Sequence, residues 1–191
     1  MPDNCGLLTA SLGINCDEPI VSGVNDRIWI MNKDDVDSLT YGATKETISA
    51  IVMGSGKVAF TIQGKNDSVD PKTELAKARF STNQNHEVLF RIFDNSVAVK
   101  TQVNKMANGK YIVVIENNHV NAAADSAFEV YGEIAGMELA EGSRMPTDVE
   151  SEAGWVMTLR SPERSKEPRV PATFLDTDYS TSKTALNALL V

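Results

Sequence analysis

Hydrophobic and polar residues alternate along several short stretches of this chain, the rhythm of strands that bury one face. Residues 27–32 (RIWIMN) put Ile28 and Ile30 on one side, and the polar cluster at 32–35 ends the run. Residues 36–53 suit a helical face through Ile48, Ile51 and Val52 and suit strands equally. Residues 57–63 alternate, with Val58, Phe60 and Ile62 expected inward, and the polar stretch 64–72 with its Pro71 reads as a loop. In residues 86–93, Val88, Phe90 and Ile92 share a face. Asp94, Asn95 and Ser96 are all suited to cap a helix, because their side-chain oxygens accept from the free N–H groups of a first turn. Val99, Val103, Met106 and Ala107 then recur at helical spacing, and Gly109 supplies the stop. Residues 110–115 (KYIVVI) form a continuous apolar run, too short for a helix and suited to a strand covered on both faces. Strand–helix–strand over 86–115 is the clearest local expectation, with the helix near 96–108.

Three more strands are expected at 127–131, 137–140 and 154–160, punctuated by Gly132, Gly136, Gly142 and Gly154. Pro162, Pro168 and Pro171 cannot donate to a ladder and favour an edge or an extended crossing segment. Residues 180–191 suit a short helix through Leu186, Leu189 and Leu190 or a mobile end. The first 26 residues carry weak periodicity and many turn formers. The organisation expected is an N-terminal arm (1–26), a β-rich core (27–160) and a C-terminal arm (161–191).

Composition sharpens this picture at a few points. Leu, Ile, Val and Phe make up 47 of 191 residues, above the roughly 20% below which disorder is the default. Eighteen of them are valines, whose β-branched side chains fit a pleated surface. Net charge is −8, which argues against DNA binding by phosphate neutralisation. No run approaches the ~18 apolar residues of a membrane span, so no membrane partner is expected. The N-terminus lacks the basic and apolar regions of a signal peptide.

Candidate chemistry is sparse. Cys5 and Cys16 lie eleven positions apart, and His86 and His119 stand alone, so short paired metal-ligand spacings are missing. The two cysteines read as free thiols, with a disulfide as the alternative. Gly54-Ser-Gly-Lys57 lacks both the earlier glycine and the following Ser or Thr of a phosphate loop and reads as a turn. Each histidine falls near a strand end, with no nucleophile context around it. No catalytic residue, cofactor or metal ligand is expected. The carboxylates are the informative feature. Asp125, Glu129, Glu133, Glu138, Glu141, Asp148, Glu150 and Glu152 face a single base, Arg144, while Arg160, Arg164, Lys166 and Arg169 follow against Glu163 and Glu167. A solvated sheet face accounts for this pattern, and so does complementarity between neighbouring copies. On the second account Glu129, Glu133, Glu138, Glu141, Glu150, Glu152, Arg160, Arg164 and Arg169 are the candidate lumen or subunit-interface residues.

Several blocks together resemble a known family. They are Cys5-Gly6-Leu7 and Cys16-Asp-Glu-Pro-Ile20; Phe90-Arg-Ile-Phe-Asp94; the helix end Met106-Ala-Asn-Gly109 with residues 110–117; residues 129–139; and Gly154-Trp-Val-Met-Thr-Leu159. Their order is similar to that of tail-tube and ring-type virion proteins of tailed phages, especially crAss-like and related phages of Bacteroidetes hosts. The resemblance runs from residue 5 to about 160 and is one of pattern. It implies a mainly β fold, a β-sandwich or small barrel flanked by one central helix, with extended arms. It implies a homo-oligomeric ring, six- or twelve-fold, that contacts other tail or neck proteins and lets DNA pass without specific binding. It implies residence in the virion after synthesis in the bacterial cytoplasm, and it carries no active site. The segment 161–191 is longer than a minimal tube subunit needs, which makes a connector or neck ring the variant reading. A carbohydrate-binding or adhesin module is the alternative, since sandwiches serve both roles. It would need exposed aromatics, and Trp29, Tyr111, Tyr131 and Trp155 fall inside strand patterns. A carboxylate-dependent hydrolase, the third reading, would need a cleft holding carboxylates of perturbed pKa.

Overall fold

The computed structural model describes residues 8, 10–13, 16, 18–77, 82–149 and 151–190. The chain runs through β1 (Val24–Asn32), a 3-10 turn (Lys33–Asp35), β2 (Val36–Tyr41), β3 (Thr47–Met53), β4 (Phe60–Gln63), β5 (Val69–Lys77) and β6 (Thr82–Ile92). It continues through α1 (Val97–Met106), β7 (Tyr111–Asn117), β8 (Phe128–Tyr131), β9 (Glu138–Arg144), β10 (Trp155–Arg160), β11 (Ala172–Phe174) and α2 (Tyr179–Ala188). Seven strands form one sheet in the order β2-β3-β11-β8-β7-β1-β4, and four form a second, β5-β6-β10-β9. Only the β11–β3 pairing is parallel among these ladders.

The fold is a mainly β sandwich, as expected. Ile28, Ile30, Val113, Ile115 and Tyr131 of the large sheet meet Val69, Val88, Phe90, Met157 and Leu159 of the small one. The opposite face of the large sheet is covered too. Trp29, Met31, Ile112, Val114, Phe128 and Val130 form a second core with Leu186 of α2, with Tyr179, Ala185, Leu189 and Leu190 packed at its margin. The layers are therefore small sheet, large sheet, helix. This is why β7 is buried from Tyr111 through Glu116. A central strand covered on both sides has no polar face to show.

Helix α1 begins where the capping residues placed it. Ser96 accepts from Val99 N at 3.3 Å, and Asp94 in turn accepts from Ser96. Val103 and Met106 lean on the inter-sheet core, but no residue of α1 is fully buried.

Residues 36–53 form the hairpin β2–β3, one of the two readings their pattern allowed. Three expectations are corrected. Pro71 lies within β5 opposite Val88. It is tolerated because β5 is an edge strand, where a missing N–H breaks no second ladder. Phe60 is 52% exposed. Its strand ends the seven-stranded sheet; Ile62, two residues on, leans on the inter-sheet core, and Phe60 lies beyond its cover. The segment 161–191 does not extend away as an arm. It inserts β11 between β3 and β8 and docks α2 on the large sheet. Ahead of Val24 the described residues form no helix or strand.

Candidate functional site

The chemistry of this chain gathers around residues 161–171, a strap that carries it from β10 in the small sheet to β11 in the large one. Where β10 stops, the strap continues alongside β6. Ser161 N donates to His86 O at 2.9 Å, and Gln84 and Glu167 exchange backbone hydrogen bonds at 2.7 and 3.1 Å. The prolines suit such a segment, because it makes isolated bonds and no continuous ladder.

His86 holds the strap from inside. It is fully buried, on the same strand face as Val88 and Phe90. Its Nε2 lies 2.9 Å from the Arg169 carbonyl, and its Nδ1 accepts from Gly132 N at 3.2 Å. A carbonyl on one side and an N–H on the other select the neutral tautomer protonated at Nε2. Burial pushes the imidazole pKa down to about 4, opposed by the bond to the Arg169 carbonyl. Gly132 has a φ of +74°, and a Cβ there would stand 2.6 Å from Met137 Cγ and 2.9 Å from Tyr111 O. Only glycine turns the chain at this point.

The turn 132–136 then receives a carboxylate. Ile134 N and Ala135 N donate to Glu167, the latter at 2.8 Å. Burial pushes the Glu167 pKa up, against the pull of these two N–H groups, and nearby Glu133 pushes the same way. Glu133 is 2% exposed and accepts from Arg169 Nη2 at 2.7 Å. The Arg169 guanidinium also lies 5.5 Å from the Tyr41 ring centroid. Lys33 Nζ donates to the Glu133 carbonyl at 2.7 Å. Burial lowers its pKa against the attraction of Glu167 and Glu133. Two carboxylates in different surroundings are the raw material of acid–base catalysis, yet both of these are sealed, and neither lines the clefts beside α1 and beside Phe93. What the cluster does is fasten the strap to β6 and to the turn after β8, joining the two sheets.

The nine candidate residues scatter. Two pairs come together within one chain, where complementarity between copies had been expected: Glu133 with Arg169, and Glu141 with Arg160 at 3.5 Å. Arg160 also holds Glu87 at 2.6 Å. Glu129 accepts from the Tyr131 hydroxyl at 2.6 Å, and burial together with that carboxylate raises the Tyr131 pKa. Glu138 pairs with Lys110 at 3.4 Å, and Glu152 pairs with Lys65. Arg164 is exposed, and Glu150 lies outside the described residues. Cys16 is an exposed free thiol; Cys5 lies outside the described residues.

Sequence reasoning missed the principal members. His86 carried a signal, since it shares the parity of Val88 and Phe90. Glu167, Lys33 and Tyr41 carried none. It missed a second buried carboxylate as well: Glu116 accepts from Tyr179 Oη and, at 2.8 Å, from Lys183 Nζ, which locks α2 to the end of β7.

Among the described residues, two of the clefts that open to the surface bear on function. One, of about 250 Å³, lies between α1 and β9–β10 and is lined by Val103, Ala107, Leu139, Glu141, Trp155 and Met157 among others. The smaller, of about 150 Å³, is lined by Lys65, Asn66, Ser68, Arg91, Phe93 and Glu152. Among the described residues no group of three His, Cys, Asp or Glu is placed to hold a metal, and no helix is long and apolar enough to cross a membrane. Comparison with protein-family models, with curated proteins and with solved structures finds no match.

Proposed function

We propose that this chain is a structural subunit of a phage virion, one of the copies that build a tail tube or a neck ring around a channel through which DNA passes. One observation carries the reading. Leu8, Leu12, Ile20 and Val21 on the N-terminal segment are 82%, 85%, 85% and 56% exposed. The segment is tied to its own chain by Ala122 N to Glu18 and by Val21 N to His119, and its apolar side chains stay in solvent. Four exposed aliphatic side chains on one segment give it apolar surface to offer another protein. The sealed carboxylate cluster supports a structural role over a hydrolytic one. Most aromatics favour it over carbohydrate binding: Trp29, Tyr111 and Tyr131 are buried, Tyr179 stacks on Phe128, and Arg169 lies over the Tyr41 ring; Trp155 is half-buried and lines the cleft beside α1.

Within this reading the acids divide. Glu133 is consumed inside the chain, whereas Glu138, Glu141 and Glu152 are exposed and remain the lumen-facing candidates. An acidic lining repels phosphates and keeps a polyanion sliding. Negative-stain electron microscopy with native mass measurement of the purified protein tests the proposal. Rings with a central hole, of a mass six or twelve times 20.7 kDa, are expected, alone or on mixing with neighbouring tail proteins. A monomer under every condition, with saturable binding to oligosaccharides, would overturn it in favour of the adhesin reading.

A further inference from the structure

We infer that the cleft between α1 and β9–β10 seats the N-terminal segment of a second copy of this chain. The inference rests on the subunit reading above and names the contact through which copies join. The cleft offers an apolar floor, with Leu139, Trp155 and Met157 on the sheet side and Val103 and Ala107 on the helix side. Its volume of about 250 Å³ accommodates one or two aliphatic side chains and no folded element. The N-terminal segment carries such side chains, Leu8 and Leu12, and leaves both in solvent.

Charge points the same way. Residues 97–110 hold Lys100, Lys105 and Lys110 and no acid, in a chain of net −8; Lys110 is paired with Glu138 of the same chain, which leaves Lys100 and Lys105 to the helix. Lys100 stands one turn before Val103 and Asn104 and so shares the helix face that lines the cleft. Ahead of β1 the chain holds Asp3, Asp17 and Glu18 and no lysine or arginine; Glu18 accepts from Ala122 N of its own chain. Glu141, the one acid lining the cleft, is engaged by Arg160.

Geometry favours a second copy. The N-terminal segment enters β1 at Val24, which pairs with Asn117 at one end of β7, and α1 leads into β7 at its other end, Tyr111. Those ends are ~20 Å apart at ~3.3 Å per residue. The anchor of the segment and the cleft beside α1 thus lie toward opposite ends of β7, an arrangement compatible with a head-to-tail contact, which closes into a ring if the rotation allows.

Two variants test this, each with one half of the contact removed. Leu8→Asp/Leu12→Asp spoils the segment and leaves the cleft intact. Ala107→Trp fills the cleft from an exposed position and leaves the segment intact, and Ala140→Arg on the facing wall replaces it should the tryptophan disturb folding. Sedimentation velocity on the full chain should show the half-assembly concentration raised at least tenfold for each variant alone. Mixed in equal amounts, the two should form one-to-one heterodimers and nothing larger, because only one productive junction remains. If the wild type assembles and the variants assemble equally well, the cleft is not the contact, and the ring reading stands. If the variants lose stability as monomers with unchanged mass behaviour, the segment docks on its own chain, and the inference falls. If the wild type is monomeric throughout, inference and ring reading fall together.

Discussion

The neutral, buried state of His86 makes a quantitative claim about how stability depends on pH. In the folded chain the imidazole titrates at about 4 in place of 6.5 because of burial. Between those values the unfolded chain takes up a proton that the folded chain refuses, so falling pH favours unfolding. The stabilisation is complete above pH 6.5 and is lost progressively down to about pH 4. At about 1.4 kcal/mol per pKa unit, a shift of this size amounts to about 3 kcal/mol, a substantial part of the ~5–15 kcal/mol that holds a typical domain together. Protonation would also place a second donor, Nδ1–H, against Gly132 N–H, where the neutral ring accepts. Urea unfolding at pH 7, 6, 5 and 4 measures the effect, with His86→Gln as reference because it retains a donor toward the Arg169 carbonyl without titrating. The wild type should lose about 3 kcal/mol more than the variant between pH 7 and 4. Glu167 works in the opposite sense. Its raised pKa means the folded state binds the extra proton as pH falls through its window, which relieves a cost present at neutral pH. Glu167→Gln should therefore steepen the acid loss. Parallel wild-type and His86→Gln profiles, or a His86 ring proton titrating near 6.5 by NMR, would refute the reasoning.

Three further outcomes are expected. Arg169→Met should destabilise by about 3 kcal/mol, since it strands the buried Glu133 carboxylate, whereas adding Glu133→Leu should recover most of that loss because replacing a buried pair is often nearly neutral; denaturant midpoints of the two singles and the double check it. Leu186→Ala, at a fully buried position in the second core, should cost about 2–5 kcal/mol, while Thr184→Ala on the exposed side of α2 should stay within about 0.5 kcal/mol; equal melting shifts would mean the helix is not docked. Val103→Asp should cost about 1–3 kcal/mol in a thermal melt, because the side chain leans on the inter-sheet core and is half-buried.

Legibility followed how local each determinant is. The unbroken apolar run of β7 announced a strand covered on both faces, and the covering arrived as the small sheet and α2. The 94–96 capping cluster located α1 to within a residue because a cap is a contact between near neighbours. Phe60 was misread for the opposite reason. Its alternation with Ile62 was right for a strand, but whether a face is covered depends on how far the opposing core reaches, which no local pattern records. Glu133 and Glu167 defeat sequence reading entirely. They lie 34 positions apart, and they are buried because the strap and the 132–136 turn close over them. The carboxylate excess between 125 and 152 was visible as charge, yet its partners Lys65, Lys110, Arg160 and Arg169 come from four different parts of the fold.

The strap also changes what the charge pattern means. Eight carboxylates against one arginine invite a picture of mutual repulsion, relieved on a solvated face or exploited by neighbouring copies or a polyanion channel. The folded chain answers part of that charge itself, with Arg169 on Glu133, Arg160 on Glu141, Lys110 on Glu138 and Lys65 on Glu152. The exposed pairs among these contribute little, about 0–1 kcal/mol each, so they orient side chains more than they hold the fold. The chain also leaves apolar side chains open, among them Leu8, Leu12, Ile20 and Val21 ahead of β1, Phe60 on a sheet edge, Val97 at the start of α1, and Met145 and Val149 within the acidic stretch itself. Hydrophobic burial scales with area and is weakly affected by salt, whereas exposed ion pairs are screened within about 8 Å at physiological ionic strength. If copies join through the N-terminal segment as proposed, their contacts should therefore tolerate high salt and fail on apolar-to-charged substitution at Leu8 and Leu12, whereas a contact carried by the acidic stretch should weaken as salt rises.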